Sequence, residues 1–265
     1  MKVSDKVIVV TGGGSGIGRE IVLNLLAKGA KVAAIDLNKE GLEETKKVAG
    51  KKGDKLSLHV ANITDRERVE QLPEEIIKEH GAVDGIINNA GIIQPFVDIK
   101  DLDYDRIKLV MDVNFYGTLY ITKTFLPHLL ERPEGHITNV SSMGGFTPVP
   151  GQSIYGASKA AVKLMTEGLR SELKGTNVNV TVVFPGAVNT NITRNSDANR
   201  EGDEERAKDA KNKTLDPKDA AEYIVSGMEE NKYRVFAGKD AKMLDIMNRI
   251  NPKKAANLIA DKLRK

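Results

Sequence analysis

Tyr155 and Lys159 stand four residues apart in Tyr155-Gly-Ala-Ser-Lys159, ahead of an apolar pattern of helical period, so both side chains share one helix face. An ammonium about 4 Å from a phenol, at an effective dielectric near 20, interacts by roughly 4 kcal/mol. That is enough to bring a phenol from its ordinary pKa of about 10 to about 7, where it can give and take a proton near neutral pH. Tyr and Lys one turn apart are also common on any helix surface, so the pair alone does not define a site. Ser142 ends a short β-branched run, and its hydroxyl could polarise a carbonyl at the carboxyl end of a strand. Asn114 falls among Ile107, Val110, Met111, Thr118 and Ile121 on one helical face, which puts an amide into a buried stripe. Buried amides need partners, and a core hydrogen bond without chemistry would satisfy Asn114 equally well.

A second group of residues could hold a phosphate. Thr11-Gly12-Gly13-Gly14-Ser15-Gly16-Ile17-Gly18 follows the first strand-like run and opens a helical pattern. Glycines there let the chain turn tightly and let a pyrophosphate approach the free N–H groups of a helix N-terminus. The common G-x-G-x-x-G spacing is not matched; Gly12, Gly16 and Gly18 read G-x-x-x-G-x-G instead. Asp36, 18 residues after Gly18, ends the second strand-like run, where a carboxylate can accept hydrogen bonds from ribose 2′- and 3′-hydroxyls and would repel a 2′-phosphate. Ser15 stands where a basic side chain could have neutralised that phosphate, and Arg19 is the only nearby cation. NAD is therefore favoured over NADP. The alternative for Asp36 is a turn or N-cap role before the helix near Lys39.

The elements that must position these residues are legible as alternating strands and helices. Strand candidates are Val7 to Thr11, Lys31 to Leu37, Leu56 to Asn62, Val83 to Asn89, His136 to Ser141, Val178 to Phe184 and Tyr233 to Ala237. Between the first two, Ile17, Ile21, Val22, Leu25 and Leu26 fall at helical spacing and Gly29 supplies a stop, which makes a βαβ unit. Thr64 and Glu67 read as a capping box opening a helix, in which Pro73 demands a kink or a restart. Asp216-Pro217 reads as a cap followed by proline at the first helical position. Several of the strands are apolar nearly throughout, so the expected fold is α/β: one doubly wound, Rossmann-like domain over residues 1–265, with a seven-stranded, mainly parallel sheet covered by helices on both faces. Residues 191–214 are too polar for a core and are expected to form an exposed helical excursion or a mobile substrate lid. Residues 239–265 read as two helices, with Ala255, Leu258, Ile259 and Leu263 on one side among lysines; docking on the protein itself or on a subunit is preferred to a membrane surface.

Composition excludes several classes. The chain has 265 residues, 40% hydrophobic and 29% charged, which suits a folded domain. Lys and Arg exceed Asp and Glu by only 3, so charge points to no nucleic acid. Zero cysteines exclude disulfides, thiolate nucleophiles, thiolate-bound zinc and iron–sulfur clusters. His59, His80, His128 and His136 show neither HxxxH nor HExxH spacing, and no metal is expected. The short apolar run Val7 to Val10 fits neither an export signal nor a membrane span, so a cytoplasmic protein is expected and the Asn-x-Ser/Thr matches at Asn62, Asn139, Asn191 and Asn212 read as chance.

These motifs, in this order, resemble those of the short-chain dehydrogenase/reductase family in its compact form. The resemblance runs over residues 5 to 190 and rests on Thr11 to Gly18, Asn88-Asn-Ala-Gly91, Asn114, Ser142, Tyr155-Gly-Ala-Ser-Lys159 and Pro185-Gly-Ala-Val-Asn-Thr190, with a 13-residue step from Ser142 to Tyr155. It implies Tyr155 as general acid/base, Lys159 as its neighbour and a ligand of the nicotinamide ribose, Ser142 on the substrate oxygen, and Asn114 on a water that links Lys159 to solvent. Gly12, Gly14, Ser15, Gly16, Ile17, Gly18, Asp36, Asn62, Ile63, Asn89, Ala90, Gly91, Pro185, Gly186, Val188 and Thr190 would border NAD. The implied reaction is hydride transfer between NAD(H) and a secondary alcohol or ketone, the substrate being a small molecule in a homodimer or homotetramer. Two departures stand out. Asn62 occupies the place of an Asp that often contacts adenine, and residues 239–265 replace a short tail, which puts the family's C-terminal tetramer contacts in doubt. Competing readings are an NADP-dependent 3-oxoacyl thioester reductase, disfavoured by Asp36, and a dinucleotide-binding regulator without turnover, disfavoured by the complete Asn114, Ser142, Tyr155 and Lys159 set. Gln94, Phe96, Met143, Phe146 and Ile192 are the pocket candidates.

Overall fold

A computed structural model of the chain describes residues 1–190, 192–196, 198 and 214–263. Each expected β-branched run overlaps a strand, with β5 starting one residue earlier and β6 ending one residue later than expected: β1 (Val7–Thr11), β2 (Lys31–Asp36), β3 (Leu56–Val60), β4 (Gly85–Asn88), β5 (Gly135–Val140), β6 (Val178–Pro185) and β7 (Arg234–Ala237). Among the described residues they form one sheet in the order β3-β2-β1-β4-β5-β6-β7, every pairing parallel. The strand order reverses between β1 and β4, and open α/β sheets form their ligand crevice at such a switch point, beyond the carboxyl ends of the strands. Alternation along β1 divides the core: Ile8 and Val10 join one hydrophobic cluster with Ile21, Leu25, Ile224 and Met228, while Val7 and Val9 join another with Leu72, Ile121, Phe125 and Ile137. Burial on both faces explains why these strands are apolar almost throughout.

Helix α1 (Gly16–Ala27) ends as its sequence implies. Gly29, at φ 90°, donates to Leu26 O and Ala30 donates to Leu25 O, a paired closure that only a left-handed residue permits cheaply. Helix α2 (Lys39–Ala49) is capped by Asn38, whose side chain accepts from Gly41 N. Helix α3 (Arg66–His80) corrects two expectations. Its cap is Asp65, accepting from Arg68 N at 3.1 Å, whereas Thr64 turns its hydroxyl to Asn62 Oδ1, so no capping box with Glu67 forms. The helix also runs without restart through buried Pro73, because packing of Val69, Leu72, Pro73 and Ile76 on the sheet outweighs one lost backbone hydrogen bond.

The stripe carrying Asn114 is not one regular helix. Helix α4 (Tyr104–Met111) passes through a π-helical segment, Asp112–Gly117, into α5 (Thr118–Leu130). Such wide turns occur often at functional sites. Helix α6 (Ser153–Glu172) carries Tyr155 and Lys159; a short helix α7 (Ile192–Asn195) follows β6. Helix α8 (Pro217–Glu229) starts as expected, with Asp216 accepting from Lys218 N and Pro217 at its first position. The two C-terminal helices are α9 (Lys239–Ile250) and α10 (Pro252–Leu263), with Ala255 fully buried. The expected lid over 191–214 lies mostly outside the described residues. Among the described residues, no helix is long and apolar enough to cross a membrane.

His136 is wholly buried on β5, with Nε2 2.9 Å from Thr181 Oγ1, and burial draws its pKa down to about 3. His59 and His80 share the Ser57 hydroxyl, at 2.8 and 2.7 Å, and burial lowers both. A folded-state value below 6.5 means the unfolded chain binds more protons, so stability is complete above about pH 6.5 and is lost as the pH falls toward 3. The denaturation midpoint of the wild type is therefore expected to fall more steeply from pH 6.5 to 4 than that of His136→Asn. Parallel curves would show that His136 does not drive acid unfolding.

Candidate active site

One cleft of about 830 Å³ opens at the carboxyl edge of the sheet. Every catalytic and cofactor-binding residue expected from the sequence borders it except Asn114. The glycine turn forms one wall. Gly12 and Gly16 adopt φ of 72° and 51°, conformations that side chains rarely take, and a Cβ on Gly18 would lie 1.9 Å from Gly12 O. Ser15, the N-cap of α1, makes no side-chain cap, which leaves the N–H groups of the first turn to an anion. This is a cradle of the shape a pyrophosphate needs.

Asp36 sits beside that turn at the end of β2. Its Oδ2 accepts from Gly14 N and its Oδ1 from Asn38 N, both at 2.9 Å, so the carboxylate shapes the loop while keeping lone pairs for a ligand. The N-cap of α2 is Asn38, so Asp36 does not cap that helix, whereas its bond with Asn38 N realises the turn role that was the other half of the alternative. Arg19 is committed elsewhere: its guanidinium donates to Gly14 O, Gly41 O and Thr45 Oγ1. Thr11, whose role sequence reasoning did not assign, fixes the opposite wall, because its hydroxyl accepts from Asn89 N and Ala90 N at 3.1 Å each. Below it a buried chain of amides and hydroxyls runs from Asn88 to Thr122 and Asn139, and from Asn139 to Thr166, tying β4 and β5 to α5 and α6.

Tyr155 and Lys159 face this cleft from α6, and Ser142 faces it from the turn after β5. The electrostatics differ from the expected pair. Burial pushes the Tyr155 phenol up, opposed by a hydrogen bond with Ser142, and burial draws Lys159 down to about 8. The Lys159 ammonium donates to Val140 O at 3.1 Å and sits against Gly91. Desolvation of both groups thus outweighs the pair attraction assumed from spacing alone. Asn114, beneath the cleft and fully buried, uses its amide to pair with Ile92 N and O at 2.8 and 2.9 Å and to donate to Ser158 Oγ. A Cβ on Gly91 would lie 3.0 Å from both Asn114 Oδ1 and Lys159 Nζ, so the two groups flank one backbone position.

The far wall is Pro185, Gly186, Val188 and Thr190 after β6. It is held from the C-terminal extension, where Asp240 Oδ2 accepts from Ala187 N at 2.8 Å and its carboxylate fills the space a Gly186 side chain would need. No local signal marks Asp240, because its partner is 53 residues away. From α7, Asn195 donates to Ser15 Oγ and Ser196 accepts from Ile93 N, which joins the chain after Thr190 to both sides of the cleft. Of the pocket candidates, Phe96, Met143 and Ile192 line the cleft. Phe146 instead packs on Phe184 and Phe236, at ring separations of 5.4 and 6.5 Å, and Gln94 is buried outside it.

A glycine turn at the start of α1, a carboxylate at the end of β2 and a Ser–Tyr–Lys group thus line one crevice. The short chain dehydrogenase model matches residues 6–201, and the chain belongs to the short-chain dehydrogenase/reductase family of oxidoreductases. Relatives include SadH of Mycobacterium tuberculosis, named as an oxidoreductase, 36% identical over 260 residues and covering 96% of this chain and 94% of its own. The 3-oxoacyl-[acyl-carrier-protein] reductase FabG of Thermotoga maritima is 37% identical over 195 residues, 73% of this chain and 78% of its own. Among solved structures, a Burkholderia phymatum short chain dehydrogenase/reductase in complex with NAD shares the fold at TM-score 0.84 and 22% identity, covering 96% and 98% of the two chains. One from Burkholderia cenocepacia in complex with NADP aligns at 0.81 and 26%, covering 98% and 99%.

Proposed function

We propose that the chain binds NAD(H) and interconverts a secondary alcohol and a ketone. The observation that carries this reading is the convergence of Ser142, Tyr155 and Lys159 in the same crevice as the glycine cradle and Asp36. Gly12, Gly14, Ser15, Gly16, Ile17 and Gly18 would hold the pyrophosphate, and Asp36 the adenosine ribose. Asn62, whose Oδ1 is occupied by Thr64, would offer its Nδ2 to adenine, next to Ile63. Asn89, Ala90, Gly91, Pro185, Gly186, Val188 and Thr190 would border the nicotinamide half, with Lys159 on its ribose. NAD supplies the hydride acceptor and NADH the donor.

The chain's own groups do the rest. Ser142 donates a hydrogen bond to the substrate oxygen, and the Tyr155 hydroxyl exchanges its proton with that oxygen. Lys159, with a pKa drawn down to about 8, can release and recover a proton near neutral pH. Asn114 holds Ile92 and Ser158 together and would bind a water that links Lys159 to solvent. Phe96, Met143, Val149 and Ile192 give the substrate end of the cleft apolar walls, which suits a small hydrophobic alcohol or ketone. The reading includes a cytoplasmic homodimer or homotetramer; exposed Leu109, Tyr116 and Leu164, on the helices that hold Asn114 and Tyr155, support association there.

The FabG relative favours a second reading, an NADP-dependent 3-oxoacyl thioester reductase. Cofactor titration separates the two. Because Asp36 faces the ribose position and Arg19 is tied to backbone carbonyls, NADH is expected to bind at least about 10-fold more tightly than NADPH, the size of one like-charge contact of about 1.4 kcal/mol. Asp36→Ala should narrow that ratio. Tighter NADPH binding by the wild type would overturn the NAD assignment and move the search to reductive chemistry on thioesters.

A further inference from the structure

Gln94 follows the cofactor-bordering turn Asn89 to Gly91, and its side chain is completely buried. Its Oε1 accepts from Ile154 N at 2.8 Å and from Tyr155 N at 3.0 Å, while its Nε2 donates to Gly151 O at 2.9 Å. In return, Gln152 Nε2 donates to the Gln94 main-chain oxygen at 2.8 Å. Helix α6 has no side-chain cap of its own, since the N-cap residue Gln152 provides none. The first orphan N–H groups of the helix, one of them belonging to Tyr155, are instead satisfied by a residue 61 positions earlier in the chain. One turn further along α6, Ser158 is tied to Ile92 through Asn114.

From this geometry we propose that Gln94 is a positioning residue for Tyr155: it sets where α6 begins relative to the turn that borders the dinucleotide, and so fixes the phenol against the site of hydride transfer. The inference rests on the reading of Tyr155 as the proton-exchanging group. Gln94 touches neither ligand; it acts through the backbone of the residue that does. Removing its carbonyl leaves two buried N–H groups without an acceptor, and the helix start must move to find others. A displacement of about 1 Å at a reacting group can cost about 100-fold in rate.

The test compares the wild type, Gln94→Met and Gln94→Glu with NAD and a secondary alcohol across pH, together with NADH affinity and thermal midpoint. Gln94→Met is expected to lower kcat about 10- to 100-fold, to displace the pH profile of kcat, and to leave NADH binding close to the wild-type value. Gln94→Glu, held as a neutral acid by its burial, keeps an acceptor for both N–H groups and a donor for Gly151 O, so it should recover most of kcat with a pH profile close to that of the wild type. A Gln94→Met enzyme with wild-type kcat and pH profile, whatever its thermal midpoint, would overturn the inference. So would a Gln94→Glu enzyme with a wild-type thermal midpoint but kcat lowered more than about 10-fold, which decides the matter if the Met variant does not fold. A wild type that transfers no hydride would bring down the parent reading and this inference together, whereas an active wild type with indifferent variants brings down this inference alone.

Discussion

Tyr155→Phe is expected to bind NADH as the wild type does and to transfer hydride about 100- to 10,000-fold more slowly, the usual contribution of one positioned acid/base group. The substitution removes only a hydroxyl. The ring that packs against Gly144 stays, and a Cβ on that glycine would lie 3.4 Å from Tyr155 Cε1, ordinary contact rather than a gap. The backbone bonds from Tyr155 N to Gln94 Oε1 and from Ser158 Oγ to Tyr155 O are likewise unaffected. What disappears is the proton at the substrate oxygen and the hydrogen bond with Ser142. The measurement is paired: single-turnover rate and NADH affinity on the same preparation. Equal rates would eliminate Tyr155 as acid/base, and parallel loss of NADH binding would relocate it to cofactor binding. A binding regulator would show no difference between the two proteins in any functional readout, which separates that reading from an enzyme.

The elements of this molecule that could be read from residue order are those whose causes are local. β-branched runs such as Val7 to Thr11 and Val178 to Phe184 became strands because their neighbours on both faces are apolar, and Gly29 stopped α1 because the left-handed turn is its own conformational property. The cradle and the Tyr155/Lys159 spacing were legible for the same reason. Long-range packing governed the rest. Pro73 stays inside α3 because of what the helix covers, and Asp65 displaces Thr64 as cap because Asn62 captures the Thr64 hydroxyl. At the π-helical turn the Asn114 amide reaches Ile92 and Ser158 at once, partners 22 and 44 positions away. Spacing placed Lys159 next to Tyr155 but could not give the cost of burying both, which reverses the expected shift of the phenol. Asp240 and Gln94 are ordinary residues in the sequence and acquire their roles from partners 53 and 61 positions away.

Gly18→Ala should do more damage than any other single methyl group added to the cradle. Its Cβ would lie 1.9 Å from Gly12 O, 2.7 Å from Gly12 C and 2.6 Å from Asn89 Nδ2. Two of those three atoms are backbone of the turn itself, so the methyl cannot be accommodated by a rotamer change. Either α1 lifts from β1, or Gly12 leaves the conformation at φ 72° that lets Gly12 N reach Ile35 O at 2.8 Å. Overpacking of this kind costs about 3 kcal/mol or more. For a chain of this size that is a fall of roughly 10 °C in thermal midpoint. Gly16→Ala separates crowding from conformation. Gly16 has φ 51°, but its nearest neighbour would be Thr190 Cγ2 at 3.5 Å, so only the backbone penalty of about 1–2 kcal/mol applies. Gly81→Ala, at φ 90° with open space around it and far from the cleft, should show the same modest loss with NADH binding intact. If close approach of helix and turn builds the pyrophosphate site, the order of lost NADH affinity is Gly18→Ala, then Gly16→Ala, with Gly81→Ala unchanged. Equal losses at Gly18 and Gly81 would mean that backbone conformation alone, not the packing of α1 against Gly12, makes these glycines necessary.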